Sequence, residues 1–331
     1  MTARQTATGR TAAGAAELEL VKEWIRKITA HSLQGTETGE VLDHVLGSTG
    51  KMIRPRLLLL SSGFGPLREE RLDRLCMLAA MVELTHMASL VHDDIVDDAR
   101  FRRGKPSVQS RYGKDAAVYA GDFLIARINR RAAKEHLGET AALLSETIEK
   151  MCLGEIGQAR CRYREDVTAE EYLRNIRGKT AALFRTACTL GARESGLSEE
   201  TAAKFGDLGE RIGVMFQFRD DLLDFISTKE KRGKETRKDF LDGIYTMPVI
   251  YAAETNAARE ELLSLMRRNR EGTLEEKDLE TVSGLVLRYG VDRVREEIHR
   301  CRRESEALLD EMGDCASGAG IRDLIGKLDA V

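Results

Sequence analysis

The spacing of apolar positions along the chain describes a succession of helices. Over residues 17–28 apolar side chains recur at three and four with charges between them. Glycines at 35 and 39 interrupt this pattern before a second helix continues to Leu46. A third follows Gly50-Lys51, carries Pro55 early, where a first-turn proline is tolerated, and runs apolar to Leu60. Beyond a break at residues 63–66, residues 72–96 are apolar on nearly every face, which predicts a central helix rather than a surface one. Residues 101–106 read as a basic loop. Further helices are expected near 115–136, 139–160, 169–191, 199–227 and 247–269. The last two, near 279–289 and 291–312, carry many acid-base pairs at i, i+4 and are expected to face solvent. No repeat of solenoid period is present.

Composition narrows this to one fold class. Four prolines in 331 residues are about a quarter of the usual ~5% frequency, so long helices are left intact. With 42% hydrophobic residues the chain can bury a substantial core, and no Pro/Ser-rich linker marks a boundary. An all-α fold is expected, with residues 17–331 as a single domain and 1–16 as a disordered tail without the apolar stretch of a secretory signal. The net charge of −3 supplies no global field for nucleic acid. No clean apolar run comes near the roughly 20 residues that span a bilayer, so no membrane span and a cytoplasmic location are expected. Six scattered cysteines form no CxxC pair and the six histidines no HExxH, which argues against a zinc site or a thiol-disulfide couple.

Two segments carry chemistry. His92-Asp93-Asp94-Ile95-Val96-Asp97-Asp98 and Arg219-Asp220-Asp221-Leu222-Leu223-Asp224 both read Asp-Asp-x-x-Asp. At i, i+4 spacing Asp93 and Asp97 share a helix face, as do Asp220 and Asp224. Like charges there repel, and each trio lies within an apolar helix, so a cation is expected among them. Hard carboxylate oxygens suit magnesium, which is usually held by one or two carboxylates together with waters and substrate phosphates. A single trio could be a solvated acidic face; two with identical spacing and apolar flanks point to a magnesium-diphosphate site.

Taken together the motifs resemble those of the trans-polyprenyl diphosphate synthases. The resemblance covers about residues 50–252 and rests on Gly-Lys-Met-Ile-Arg-Pro-Arg (50–56), Glu-Leu-Thr-His (83–86) running into the first trio, Arg-Arg-Gly-Lys-Pro (102–106), Gly-Asp-Phe-Leu (121–124), Gly-Glu-Ile-Gly-Gln (154–158), Gly-Lys-Thr-Ala-Ala-Leu-Phe (178–184) and Gln-Phe-Arg before the second trio. It implies an isoprenoid-synthase helical bundle with the two acidic motifs on facing helices, a homodimer, and magnesium-dependent condensation of isopentenyl diphosphate with an allylic diphosphate. By resemblance Asp93, Asp97 and Asp220 are magnesium ligands, with Asp94, Asp221 and Asp224 as alternate or supporting ligands; Asp98 has no assigned role. Lys51, Arg54, His86 and Arg103 match positions that hold isopentenyl diphosphate, and Arg102 and Lys234 positions that grip the allylic diphosphate. Lys179, Thr180 and Gln217 match residues flanking the allylic cation. His92 has no such counterpart and is expected to be structural.

Product length follows from the wall of the first acidic helix. Ala88 and Ser89, one turn before Asp93, are small, so a medium-to-long prenyl chain is expected, limited deeper by Thr85, Met81 or Phe123. One departure stands out: Ile244 occupies a position that is lysine in many members of the family. The alternative within the family is a short-chain farnesyl or geranylgeranyl diphosphate synthase, and two other classes share the fold. A terpene cyclase of this fold would present an Asn/Ser/Glu pattern in place of the second aspartate trio, and a non-catalytic partner would be expected to lose one trio.

Overall fold

The computed structural model describes residues 14–30, 32–47, 50–226 and 237–330. Its helices are α1 (Ala15–Thr29), α2 (Glu37–Leu46), α3 (Ile53–Ser62), α4 (Leu72–Val96), α5 (Val108–Tyr112), α6 (Lys114–Lys134), α7 (Gly138–Arg160), α8 (Ala169–Ile176), α9 (Ala182–Glu194), α10 (Glu199–Ile226), α11 (Lys238–Leu241), α12 (Met247–Glu254), α13 (Asn256–Arg270), α14 (Glu276–Tyr289), α15 (Val291–Met312) and α16 (Ala316–Asp329). The expected all-α class is observed. The described residues form two compact units: one holds the chain up to Ile148 with Thr186–Gly206 and Cys315–Gly320, the other Glu149–Arg185, Asp207–Asp314 and the residues from Ile321. The chain passes from unit to unit within α7, α9, α10 and α16, and once between α15 and α16 at Asp314–Cys315, so no linker composition marks the division.

In the first unit α4 is the core. Leu75, Leu78, Met81 and Leu84 are fully buried, and α1, α3 and α6 pack on it. By length and composition alone this helix could cross a membrane, with a mean hydropathy of 1.4, but 78% of that window is buried inside the protein. That is the signature of the central helix its all-round apolarity predicts. Where α6 packs on α4, Gly121 leaves room for the His92 ring, whose Nε2 would lie 2.2 Å from an added Cβ. The expected basic loop is a hairpin: β1 (Phe101–Arg102) pairs antiparallel with β2 (Lys105–Pro106). Arg103 and Gly104 form its turn at φ 53° and 77°, the left-handed pair that a two-residue hairpin turn requires.

In the second unit α12 is central. Pro248 occupies its first turn, Met247, Val249 and Ala252 are fully buried, and α8, α13, α14 and α15 pack against it.

Four expectations need correction. The helix expected at 169–191 is interrupted by a π-helical turn, Arg177–Ala181. The one expected at 247–269 breaks at Thr255, which is extended and donates its Oγ1 proton back to the Tyr251 carbonyl. Helix α16 was not anticipated, because Gly318, Gly320 and Gly326 dilute its apolar pattern. Helix α1 starts at Ala15, inside the expected tail; residues 1–13 lie outside the described residues.

Candidate active site

The first acidic trio sits at the carboxyl end of α4. Asp97 is the capping residue, and its N–H donates to the Asp93 carbonyl. Carboxylates crowded at the negative end of a helix dipole oppose it, so stability does not explain them. Asp97 is exposed and Asp93 partly so, whereas Asp94 is buried and turned into the protein. There its Oδ1 accepts from the Arg102 Nε at 2.9 Å and Nη2 at 2.5 Å. Asp94 thus fixes a guanidinium on the hairpin next to the two accessible carboxylates. Asp98, left-handed at φ 45°, pairs with Lys114 at 3.1 Å.

Behind this end of α4 lies a group of cations. Arg54 stands in the first turn of α3, which is launched by a left-handed Met52 (φ 50°). His86 projects from α4, and Arg103 from the hairpin turn. The Arg103 guanidinium lies against the backbone of Gly50, where a Cβ would be 2.3 Å from its Nη2. Burial pulls the Arg54 pKa down to about 10; Glu83 opposes this and Arg103 adds to it. His86 is pushed well below its usual value by burial and then by Arg54, Arg103 and Arg102. Its imidazole is therefore neutral among three guanidiniums, with the buried Glu83 one turn below. Converging cations in a partly buried setting suit a phosphate-bearing anion. Lys51 precedes this group on an exposed residue.

In the second unit the residues expected beside the allylic cation come together around the π turn. Lys179 and Thr180 lie on it, and π turns are frequent at functional sites. The turn is seated on α7 by glycine contacts. A Cβ at Gly154 would lie 2.3 Å from the Lys179 backbone nitrogen, and one at Gly178 would lie 2.6 Å from the Lys150 carbonyl oxygen. This backbone-to-backbone crossing places the Lys179 ammonium 3.0 Å from Glu155 of α7. Thr180 Oγ1 donates to Gln217 Oε1 at 2.8 Å, and Gln217 Nε2 donates to Asp221 Oδ1 at 3.0 Å. Asp221 Oδ2 accepts from the Tyr172 hydroxyl at 2.5 Å. Asp221 is fully buried, and burial pushes its carboxyl up to about 8, with the two donors pulling it back. Asp220 is exposed and Asp224 buried. Lys234 lies outside the described residues.

A polyprenyl synthetase family model matches residues 36–282. The chain belongs to the polyprenyl synthetase family. It is 42% identical over 214 residues to heptaprenyl diphosphate synthase component 2 of Geobacillus stearothermophilus, an alignment covering 65% of this chain and 66% of that one, just under two thirds of its length. Among solved structures, the heptaprenyl diphosphate synthase of Staphylococcus aureus superposes with a TM-score of 0.85 at 29% identity, covering 96% of this chain and 98% of that one. The geranylgeranyl pyrophosphate synthase of Corynebacterium glutamicum, complexed with calcium and isoprenyl diphosphate, gives 0.79 at 27% identity, with 95% and 94% covered.

Within this member of the family, the positions expected to set product length lie along one stretch of α4. Thr85 and Ala88 are buried and Ser89 is partly exposed. The Thr85 hydroxyl donates to the Met81 carbonyl and the Ser89 hydroxyl to the His86 carbonyl, so both polar atoms are satisfied by their own helix. The His92 Nε2 lies 3.3 Å from the Val118 carbonyl oxygen and 3.5 Å from the Asp122 carboxylate.

Among the described residues no group of three or more His, Cys, Asp or Glu side chains is arranged to hold a metal alone. Two accessible carboxylates of one trio on one face, with the middle one engaged by protein donors, instead fit magnesium that takes its remaining ligands from water and substrate phosphate. Sequence reading missed Tyr172, Glu155 and the seating role of Gly154 and Gly178. For Tyr172 the available signal was a polar-tipped aromatic seven residues before Lys179, on the same helical side.

Proposed function

We propose that this chain is a magnesium-dependent trans-prenyltransferase that condenses isopentenyl diphosphate with an allylic diphosphate, releases diphosphate and makes a medium-to-long polyprenyl diphosphate. The observation that carries this reading is the set of three guanidiniums around a neutral His86, directly behind the accessible carboxylates of α4. Lys51, Arg54, His86 and Arg103 hold the isopentenyl diphosphate, and the neutral imidazole contributes an N–H donor without adding charge. Arg102, oriented by Asp94, and Lys234 grip the allylic diphosphate. Asp93, Asp97 and Asp220 are the magnesium ligands, with Asp224 in support. Bound magnesium supplies charge neutralisation of the departing diphosphate. Lys179, Thr180 and Gln217 place a cation and two oriented dipoles beside the reacting carbons, so catalysis is mainly electrostatic. The calcium and isoprenyl diphosphate in the Corynebacterium relative support a divalent cation and this substrate class.

Incubation with isopentenyl diphosphate, farnesyl or geranyl diphosphate and magnesium, followed by chromatography of the dephosphorylated products, tests the reading. Elongation is expected, and its absence with every starter overturns the proposal. Asp93→Ala and Asp220→Ala should each fold and lose turnover; full activity in either refutes the ligand assignment. The words "component 2" in the name of the Geobacillus relative favour a second reading, in which a separate subunit is required. Activity of the purified chain alone decides against it. We further propose a homodimer, supported by the exposed apolar side chains Tyr119 (72%), Leu153 (60%) and Ile156 (57%); a monomeric mass by light scattering would refute it.

A further inference from the structure

We infer that His44 is a positioning residue that seats the β1–β2 hairpin against the end of α2 and so holds Arg103 where it meets isopentenyl diphosphate. The inference rests on the reading of Arg103 as a ligand of that diphosphate; the seating itself stands on the hydrogen bonds of His44.

The hairpin cannot hold its own position. Its ladder consists of the pairs Phe101–Pro106 and Arg102–Lys105, and strands of two residues are not stable by themselves. Proline has no N–H, so its carbonyl is the one hydrogen-bonding group that Pro106 offers. His44, in the last turn of α2, takes it: the ring Nε2 lies 2.8 Å from the Pro106 oxygen. A carbonyl only accepts, so the ring donates at Nε2, and the neutral imidazole accepts at Nδ1, which lies 3.4 Å from Arg111 Nη1. The same ring meets that of Tyr112 edge-on, with centroids 5.6 Å apart. Next to it the Lys105 ammonium donates to the Gly47 carbonyl at 3.3 Å. The carboxyl end of α2 thus grips both residues of β2, while Arg111 and Tyr112 of α5 keep the His44 ring in place.

The two hairpin arginines depend on this grip to different degrees. Arg102 is bonded through its Nε to Asp94 of α4 at 2.9 Å, so its guanidinium stays with the acidic helix if the hairpin shifts. Arg103 stands in the turn, beyond the last ladder pair. The base of the hairpin is tied by Ser107 Oγ and Gln109 Nε2, which donate to the Ala99 carbonyl at 2.6 and 2.9 Å. Ties at the base leave a lever whose far end is the turn, and the His44 bond restrains that lever from the side of α2. His44 shares a cavity of about 30 Å³ with Asp94, Arg102, Arg103 and Pro106. That space is too small to admit a diphosphate, so His44 acts through the hairpin and not by touching substrate.

The test is steady-state kinetics of the full chain with magnesium, paired with calorimetric binding of isopentenyl diphosphate. His44→Phe keeps a ring beside Tyr112 and removes both polar bonds. It should raise the KM for isopentenyl diphosphate about three- to tenfold, the range one hydrogen bond is worth, and weaken calorimetric binding by the same factor. Both kcat and the KM for the allylic diphosphate should stay within about twofold, which a general loosening of the fold would not allow. His44→Gln, whose amide can donate to the Pro106 carbonyl, should recover most of the loss. In an Arg103→Gln background His44→Phe should add nothing. A joint rise of both KM values, or no recovery in His44→Gln, overturns the inference. So does an unchanged KM for isopentenyl diphosphate in His44→Phe when Arg103→Gln raises it. If Arg103→Gln itself leaves that KM unchanged, the parent reading of Arg103 fails and the inference with it. Should His44→Phe not fold, Lys105→Met removes the neighbouring contact at an exposed residue and must show the same selective rise; its absence overturns the inference equally.

Discussion

Gly154→Ala should separate the seating of the π turn from the stability of the fold. The added methyl would lie 2.3 Å from the Lys179 backbone nitrogen and 2.6 Å from the Asn175 carbonyl oxygen. Both are backbone atoms and cannot rotate away. An ordinary contact is about 3.5 Å, so α7 and the π turn must part by about 1.2 Å. Overpacking of this kind costs about 1–3 kcal/mol, offset in part by the better helix propensity of alanine, at most about 1 kcal/mol. Stability should therefore change modestly. Misplacing catalytic groups by about 1 Å can cost about a hundredfold in rate, so kcat should fall by about that factor as Lys179 and Thr180 shift together. The assay pairs steady-state kinetics with thermal unfolding. Gly284→Ala is the control: it lies inside α14 with nothing within 4 Å of the added methyl, and should stabilise by about 0.5–1 kcal/mol with activity unchanged. Wild-type kcat in Gly154→Ala would refute the idea that this glycine crossing positions the π turn.

Two further predictions follow from α4. Because the folded pKa of His86 lies well below 6.5, the unfolded chain binds a proton there that the folded chain does not, so stability is lost as pH falls below about 6.5. The slope from this one group is at most about 1.4 kcal/mol per pH unit; His86→Gln should flatten the curve between pH 6.5 and 5 relative to wild type, and parallel curves would show that the imidazole is not held neutral. Ala88→Phe should shorten the product by one or more isoprene units in chromatography of the dephosphorylated chains, and an unchanged length would remove Ala88 from the tunnel wall.

What was legible in the sequence was local. The i, i+4 spacing of Asp93 with Asp97 and of Asp220 with Asp224 needs only a helix to have meaning, and both helices are there. The roles within each trio were not legible. Asp94 and Asp221 are drawn into the protein by Arg102, Tyr172 and Gln217, and the reach to Tyr172 is forty-nine residues along the chain. The π turn was hidden for a similar reason. Its sequence continues the helical pattern on either side, and the extra residue is accommodated beside a crossing made by Gly154 of another helix. The hairpin looks like a loop in the sequence because four residues of strand are too few for period two to register.

Backbone strain points to the same places as the side chains do. Six non-glycine residues among those described have positive φ, and four of them adjoin proposed site residues. Met52 lies between Lys51 and Arg54, Asp98 follows the first trio, Arg103 is itself a proposed phosphate ligand, and Arg237 donates its N–H to the Asp224 carbonyl at 3.3 Å. Each left-handed non-glycine residue costs on the order of 1–3 kcal/mol, and none of Met52, Arg103 or Arg237 has a side chain that relieves it. A fold selected only for stability would place glycine or asparagine at such positions. At Arg103 the substitution by glycine would remove the guanidinium together with the strain, so the strained backbone is what presents that charge beside Arg54 and His86. The four positions thus divide the work with the long helices: α4 and α10 carry the carboxylates at regular spacing, while left-handed residues at and near their ends turn the chain so that the cations and the Asp224 carbonyl are held where regular helix could not put them.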